Sequence, residues 1–255
     1  MLELRQMEIV DFIKNKGMAS IHQLGKEFHI SLPTIRRDLA KLEKQGTIKR
    51  VHGGAMAKGD VFSDTSLRQR VQKNIKEKEK IAAYVVSKLI QPGDTIILDA
   101  GTTTYLIASL IRKQKLSGLT IITNSIANAT ELALCPGITH LLTAGKIHSE
   151  TMSLLGPETI KSLDGFHVDK AFIGTAGIHW ENGLTDINVE GCTVKREFLK
   201  RADKKIILAD HSKIGKIYFA NICSLDEVDM VVTDSGIGNE LKNKMDKIKT
   251  NFIYI

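Results

Sequence analysis

Residues 99–104 read Asp-Ala-Gly-Thr-Thr-Thr, between a short apolar run and a segment with helical spacing. A Gly-Thr turn at the start of a helix offers backbone N–H groups, hydroxyl groups and the positive end of the helix dipole. These groups suit a phosphate, although the same sequence also serves as an ordinary strand-to-helix turn with an N-cap. Asn124 and Ser125 end the next apolar run in the same manner. Unless they only cap a helix, their side chains are expected in the same crevice, beside the carboxyl ends of parallel strands.

A second set of residues has the composition of a nucleic-acid contact. A predicted helix around residues 32–45 presents threonine, arginine and lysine away from its apolar stripe. Arginine pairs bidentately with guanine in the major groove, whereas lysine and threonine hold phosphate groups. The alternative is a small dimerisation or capping unit whose arginines pair with Asp38 and Glu43. The candidate DNA-contacting residues are Ser20, Ser31, Thr34, Arg36, Arg37, Lys41, Lys49, Arg50 and His52.

The distribution of charge favours an anionic partner for the N-terminal third. The chain has 255 residues and a formal net charge of +7. Residues 1–80 contain 17 Lys and Arg against 10 Asp and Glu, whereas residues 81–255 contain 19 of each. A basic unit joined to a neutral body is typical of nucleic-acid binding, although a solvated basic face would give the same balance.

Helical elements must position the basic residues. Residues 1–46 are predicted to be helical throughout, with a first helix that ends at Gly17. Ser20 and Gln23 have the spacing of a capping box and begin a second helix, and Ser31 can cap a third.

The chain then changes to β-prone sequence. Residues 47–52, closed by Gly53 and Gly54, predict a hairpin, and this completes a winged helix-turn-helix. We expect this domain to span residues 1–57, followed by a polar linker over residues 58–72.

Residues 73–255 are predicted to form an α/β domain. Short apolar, β-branched runs alternate there with helical segments, as in a mostly parallel sheet. The predicted strands cover residues 95–99, 119–123, 138–143, 170–174, 205–209, 229–233 and 250–255.

Composition excludes several classes of protein. No apolar stretch approaches the roughly 18 residues that would predict a membrane span. The N-terminus lacks the apolar run of a signal peptide, and the three cysteines are far apart in sequence. These features predict a cytoplasmic protein with no disulfide framework, no metal site and no cofactor.

Several motifs resemble the DeoR family of bacterial transcriptional regulators. The N-terminal ones are Ser31-x-x-Thr34-Ile-Arg-Arg-Asp-Leu39, Leu42-Glu43 with Gly46, and Arg50-Val-His-Gly-Gly-Ala55. The later ones are Leu98-Asp-Ala-Gly-Thr-Thr-Thr104, Thr123-Asn-Ser125, Leu155-Gly-Pro157, Asp169-Lys-Ala-Phe172, Val194-Lys-Arg196 and Leu208-Ala-Asp210 with Ser212-Lys213. The resemblance covers nearly the whole chain. It implies a sugar-metabolism repressor whose C-terminal domain is similar to ribose-5-phosphate isomerase and binds a phosphorylated sugar as inducer.

The same resemblance extends the candidate effector site. It places Glu190, Lys195 and Lys213 near the ligand, although by spacing the first two are only a charged pair near a helix start and the third is an ordinary loop lysine. The candidate effector-binding residues are Asp99, Gly101, Thr102, Thr103, Thr104, Asn124, Ser125, Gly174, Gly177, Glu190, Lys195, Asp210 and Lys213.

Four positions depart from the family pattern, one of them Ala144, which replaces the first of two glycines usual after the third strand. His29 stands where the turn usually has glycine, and histidine tolerates positive φ better than most residues. Gly25 replaces a small alanine, at a cost of roughly 1 kcal/mol in helix propensity. Ala176 replaces a common acid, which weakens an enzymatic interpretation because isomerisation needs a carboxylate base.

The leading hypothesis is therefore a repressor that reads double-stranded operator DNA and is released by a phosphorylated sugar. Two-fold related operators imply at least a homodimer, and a tetramer is also compatible. The alternatives are a sugar-phosphate isomerase with an accessory DNA-binding domain and a purely architectural DNA binder.

Overall fold

The computed structural model describes residues 4–16, 18–51, 53–57 and 67–255. Its N-terminal elements form a small three-helix unit with a β-sheet. They are α1 (Leu4–Lys16), β1 (Met18–Ser20), α2 (Ile21–Glu27), α3 (Leu32–Lys44), β2 (Ile48–Val51) and β3 (Gly54–Ala57). The buried stripes of the helices meet in one apolar core that includes Ile9, Ile13, Leu24, Ile35 and Leu39.

The wing of this unit has three strands in the order β1-β3-β2. The hairpin of β2 and β3 was predicted, but the interpretation of residues 1–46 as helical throughout is wrong because β1 pairs antiparallel with β3. Three residues are too few for apolar alternation to distinguish a strand. At Gly54 a Cβ would lie 2.4 Å from the carbonyl oxygen of Ala19, so only glycine allows this pairing. Gly17 lies outside the described residues.

A seven-stranded parallel sheet forms the larger body, as predicted. Its order is β15-β14-β12-β9-β4-β5-β6, and every neighbouring pair is parallel. Its strands are β4 (Thr95–Leu98), β5 (Leu119–Thr123), β6 (Ile138–Leu142), β9 (Val168–Gly174), β12 (Ala202–Leu208), β14 (Met230–Thr233) and β15 (Asn251–Tyr254).

Helices cover the sheet, and two apolar clusters, one holding Phe198 and the other Phe172, form the core. The helices are α4 (Leu67–Gln72), α5 (Ile75–Tyr84, continued by a π-helical segment Val85–Leu89), α6 (Thr102–Lys113), α7 (Ile126–Leu132), α8 (Pro157–Lys161), α9 (Val189–Lys200) and α10 (Asn239–Met245). Short 3₁₀ turns lie at His211–Lys213 and Leu225–Glu227. The last part of the predicted linker is therefore the helix α4.

Two small antiparallel sheets were not predicted. One contains β10 (Gly177–His179), β11 (Gly183–Asp186) and β13 (Ala220–Cys223), in that order. The other is a hairpin of β7 (Lys146–His148) and β8 (Ser153–Leu155). Both lie in loops that follow strands of the large sheet, where ligands of open α/β folds bind.

Candidate functional site

The third helix presents an exposed basic face. Arg36, Arg37 and Lys41 are exposed, whereas Ile35, Leu39 and Leu42 on the other side are buried. A charged face opposite an apolar stripe is free to enter a groove while the stripe holds the helix against α1 and α2.

Asp38 and Glu43 are bonded to groups other than the recognition arginines. Asp38 is buried and accepts hydrogen bonds from Arg5 at 2.9 and 3.1 Å and from Gln6 at 3.2 Å. Glu43 accepts a hydrogen bond from the backbone N–H of Arg50 at 2.9 Å. The alternative in which these acids neutralise α3 is therefore not the arrangement found.

The turn between α2 and α3 keeps its geometry despite two departures from the family pattern. His29 has φ of 54°, in the left-handed region that histidine tolerates. At Gly25 a Cβ would lie 2.9 Å from Leu32 Cδ2 and 3.1 Å from the carbonyl oxygen of Ile30. Glycine therefore allows the two helices to approach closely, which offsets its low helix propensity.

The other candidate DNA-contacting residues have different roles in the local structure. Ser20 and Gln23 form the predicted capping box. Ser31 is at the N-cap of α3, but its hydroxyl bonds to that of Thr34 at 2.9 Å and caps no backbone amide, contrary to prediction. Arg50 is exposed on β2. His52 and the side chain of Lys49 lie outside the described residues.

A cleft of about 70 Å³ opens at the carboxyl edge of the parallel sheet. Of the predicted effector residues, Asp99, Asn124 and Lys195 line it. The other lining residues are Arg70, Ala100, Thr151, Ser153, Leu155, Asp186, Asn188 and Gly191. The cleft is thus formed by the ends of β4, β5 and β11, by α9 and α4, and by the β7–β8 hairpin.

Lys195 lies at the centre of the cleft and contacts the residues around it. Its ammonium group donates to the carbonyl oxygen of Gly174 at 2.8 Å, pairs closely with Asp186 and lies 3.6 Å from Asp99 Oδ2. Asp99 in turn accepts a hydrogen bond from the N–H of Gly174 at 3.1 Å. Sequence spacing suggested a pair between Lys195 and Glu190. The acids beside Lys195 are instead Asp186 and Asp99, and Glu190 is exposed on the first turn of α9.

Burial and neighbouring charges shift the pKa values of Asp99 and Lys195 in opposite directions. Burial raises the pKa of Asp99, against the lowering effects of Lys195 and the N–H of Gly174. Burial also disfavours the charge on Lys195, but Asp186 and Asp99 together raise its pKa above the usual value. Lys195 therefore remains a cation, and the pKa of Asp99 stays above its usual value despite that neighbour.

The Gly-Thr turn has the local structure expected of it. Gly101 is the N-cap of α6, and Thr104 Oγ1 accepts from the Gly101 N–H at 2.9 Å and donates to the carbonyl oxygen of Asp99 at 2.5 Å. Thr104 is thus a structural residue. The N–H groups of Thr102 and Thr103, in the first turn, have no acceptor within the helix.

The residues that follow β5 hold the turn between β4 and α6 in place. Asn124 Oδ1 accepts from the N–H of Ala100 at 3.0 Å, and Asn124 Nδ2 donates to the carbonyl oxygen of Leu154 at 3.1 Å. Ser125 caps α7 through the N–H of Asn128 at 3.2 Å. Asn124 is therefore a bridge between the turn and the hairpin, whereas Ser125 has the alternative role of helix cap.

The structure does not bring every predicted residue to the lining of this cleft. A Cβ on Gly177 would lie 2.5 Å from the carbonyl oxygen of Lys216, so that glycine permits strand packing and no ligand approach. Asp210 is buried, and its Oδ1 accepts from Asn74 at 2.8 Å and from Ser212. Burial lowers the pKa of Lys213, which follows Asp210 on the adjacent loop.

Sequence reasoning missed Arg70, which lies in the segment interpreted as a linker. Its helix α4 is fastened to α5 by Lys78, whose buried ammonium donates to the carbonyl oxygens of Arg70 at 2.5 Å and Lys73 at 2.6 Å. Burial lowers the pKa of Lys78 to about 8. Six residues of helix give too short a pattern to recognise. The helix nevertheless carries an arginine to the cleft from the segment that leads to the winged unit.

Two family models match this sequence. The DeoR-like helix-turn-helix domain matches residues 5–59. The DeoR C terminal sensor domain matches residues 73–235. The chain belongs to the DeoR family. It is therefore a DNA-binding transcriptional regulator and not an enzyme.

Relatives of this DeoR-family chain carry regulator names. The HTH-type transcriptional repressor GlcR of Bacillus subtilis is 38% identical over 232 residues, which are 91% of this chain and 88% of GlcR. The uncharacterized regulator YulB of the same organism is 36% identical over 91% of this chain and 89% of its own length. Ribose 5-phosphate isomerase A of Methanocaldococcus jannaschii is a structural neighbour with a TM-score of 0.41 and 24% identity, covering 56% of each chain.

One contact joins the DNA-binding wing of this DeoR-family chain to its sensor domain. Tyr218 is 9% exposed and packs against Val51 of β2 and Ala176. Its backbone N–H donates to Thr185 Oγ1 at 2.9 Å, next to Asp186 of the cleft. Burial, with Asp186 and Asp210 as nearby charges, raises the pKa of Tyr218 to about 12. Tyr218 therefore lies between the wing and the acids near the cleft.

Within the described residues, no helix is long and apolar enough to cross a membrane. The same part of the chain contains no group of three side chains arranged to hold a metal ion.

Proposed function

We propose that this regulator is a repressor of a sugar-metabolism operon, that it acts in the cytoplasm, and that a phosphorylated sugar releases it from its operator. The observation that carries the proposal is the cleft at the carboxyl edge of the sheet. Lys195 and Arg70 line it together with Ala100, which leads into the N-terminus of α6, and the N–H groups of Thr102 and Thr103 in the first turn of such a helix suit a phosphate group. The sensor-domain match supports a ligand at this place.

The exposed face of α3 and the cleft are proposed to bind anions by different interactions. The exposed arginines of α3 act through a diffuse positive field and direct base contacts, so that operator binding falls with salt. The cleft has two cations close to two carboxylates and binds a small phosphate by local geometry. Residues 81–255, which form most of the sensor domain, have no net charge, and this favours a focused site over broad attraction.

Operator release requires that the ligand bind two conformations with different affinity. Arg70 connects the ligand directly to the segment that precedes the sensor domain, and Tyr218 connects the cleft wall to the wing. We infer that ligand binding shifts α4 and β11, and with them the recognition helices of a homodimer or tetramer.

The proposal is tested with the full chain in two measurements. Thermal unfolding is followed with inorganic phosphate, hexose 6-phosphates, hexose 1-phosphates and pentose 5-phosphates. Operator binding is followed by gel shift at stated salt on the DNA that flanks the regulator's own gene, with random DNA as competitor. We expect one sugar phosphate to raise Tm by several degrees and to dissociate the specific complex. No preference over random DNA, or no stabilisation by any sugar phosphate, would contradict the proposal.

The coupling role of Tyr218 gives a separate prediction. Tyr218→Ala removes the ring between Val51 and Ala176 and leaves its backbone bond to Thr185 in place. We expect the variant to bind sugar phosphate and operator, but the ratio of operator affinities without and with ligand should fall at least fivefold. Tyr218→Phe keeps the packing and is the matched control. An unchanged ratio in Tyr218→Ala would assign the contact to packing alone.

A further inference from the structure

A chain of hydrogen bonds leads into the cleft from the β7–β8 hairpin. His148 Nδ1 bonds to Thr151 Oγ1 at 2.7 Å, and Thr151 Oγ1 bonds to Ser153 Oγ at 2.6 Å. Thr151 and Ser153 both line the cleft, and Ser153 is 2% exposed. Glu150 Oε2 lies 3.7 Å from His148 Nε2. A buried polar side chain therefore lies in the cleft wall, oriented by residues that reach outward to the surface.

The hairpin is held rigidly against the sheet edge. The N–H of Leu154 donates to the carbonyl oxygen of Asn124 at 2.7 Å, and the N–H of Ile126 donates to that of Met152 at 2.9 Å. Met152 adopts φ of 52°, a conformation that costs a non-glycine residue of order 1 kcal/mol. The surrounding bonds maintain this strained turn, which places Thr151 and Ser153 on either side of it.

The chain joins three groups that can each donate or accept a hydrogen bond: the imidazole of His148 and the hydroxyls of Thr151 and Ser153. Thr151 Oγ1 lies within hydrogen-bond distance of both neighbours, so it fixes the position of the Ser153 hydroxyl in the cleft wall. The two hydroxyls are uncharged, unlike the ammonium and guanidinium groups of Lys195 and Arg70, which also line the cleft.

We infer that Ser153, positioned by Thr151 and His148, is a subsite for a hydroxyl group of the ligand. A wall of neutral hydroxyls exchanges hydrogen bonds with the hydroxyl groups of a sugar, whereas a phosphate dianion pairs preferentially with cations. The cationic wall with Lys195 and Arg70 takes the phosphate, and the hairpin wall takes the polyhydroxylated part of the molecule. The inference rests on the proposed function and specifies how the cleft separates a sugar phosphate from bare phosphate.

The test compares two ligands in the full-length protein by calorimetric titration. The ligands are inorganic phosphate and the sugar phosphate that binds tightest in the panel above. We expect Ser153→Ala to weaken the sugar phosphate about tenfold and to leave the dissociation constant of inorganic phosphate within about twofold. Thr151→Val keeps the hydroxyl of Ser153 but removes the hydrogen bond that orients it, and should weaken the sugar phosphate in the same selective way.

Ser87→Ala is the matched control, since Ser87 bonds to the carbonyl oxygen of Tyr84 on an exposed helical segment outside the cleft. Thermal unfolding of each variant separates misfolding from lost recognition. Equal weakening of both ligands, or unchanged sugar-phosphate affinity in Ser153→Ala, would overturn the hydroxyl subsite while leaving the proposed function intact. Failure of the wild-type protein to bind any sugar phosphate would refute the proposed function, and this inference with it.

Discussion

The double variant Arg36→Ala/Arg37→Ala should lose specific operator binding by at least a hundredfold. Both arginines are exposed on α3, and Asp38 and Glu43 of the same unit are bonded instead to Arg5, Gln6 and the backbone of Arg50. One arginine paired bidentately with guanine contributes about 1–3 kcal/mol of discrimination, and a phosphate contact adds a salt-dependent part. Gel shifts at several salt concentrations should show weaker binding and a shallower salt dependence, whereas the thermal shift produced by sugar phosphate stays unchanged.

A matched control removes the same charge elsewhere. Lys80→Ala/Lys113→Ala deletes two exposed lysines from α5 and α6 of the sensor domain. If operator affinity depended only on net charge, both double variants would weaken it equally. We expect the control to lose less than threefold. Loss of operator binding together with loss of the ligand-induced thermal shift in Arg36→Ala/Arg37→Ala would instead indicate misfolding.

Fold and site were predictable from sequence to different degrees. The central strands are buried on both faces, so they appear as continuous apolar runs, and Asp99 and Asn124 were predictable because each directly follows such a run. Strands β10 and β11 are short, contain Gly177 and Gly183, and belong to a small antiparallel sheet that no apolar run marks. Asp186, at the end of β11, was missed for this reason.

The position of a side chain depends on contacts that are distant in sequence. Lys195 shares its helix with Glu190, a nearby opposite charge in the sequence, but the fold gives it Asp99 and Asp186 as partners. Thr151 and Ser153 belong to a turn that is defined by its bonds to Asn124 and Ile126, not by a local pattern. Tertiary hydrogen bonds of this kind determine the cleft, and a single sequence does not encode them as periodicity.

Lys195→Met is expected to have the largest effect on ligand response. The substitution removes the cation that lies between Asp99 and Asp186, so two carboxylates are left close together in a buried site. Leaving a buried charge unpaired typically costs about 3–5 kcal/mol. We expect the free energy of unfolding to fall by about 3 kcal/mol, the sugar phosphate to bind at least a hundredfold more weakly, and the operator complex to persist in its presence.

A second substitution separates stability from recognition. In Lys195→Met/Asp186→Asn one of the two uncompensated charges is neutralised, so about half of the lost unfolding free energy should return, as measured by denaturant titration. Ligand binding should not return, because the phosphate still lacks the ammonium group of Lys195. Recovery of sugar-phosphate affinity in the double variant would show that Lys195 only organises the acids of the cleft. Persistent loss with restored stability would identify its ammonium group as a direct ligand of the phosphate.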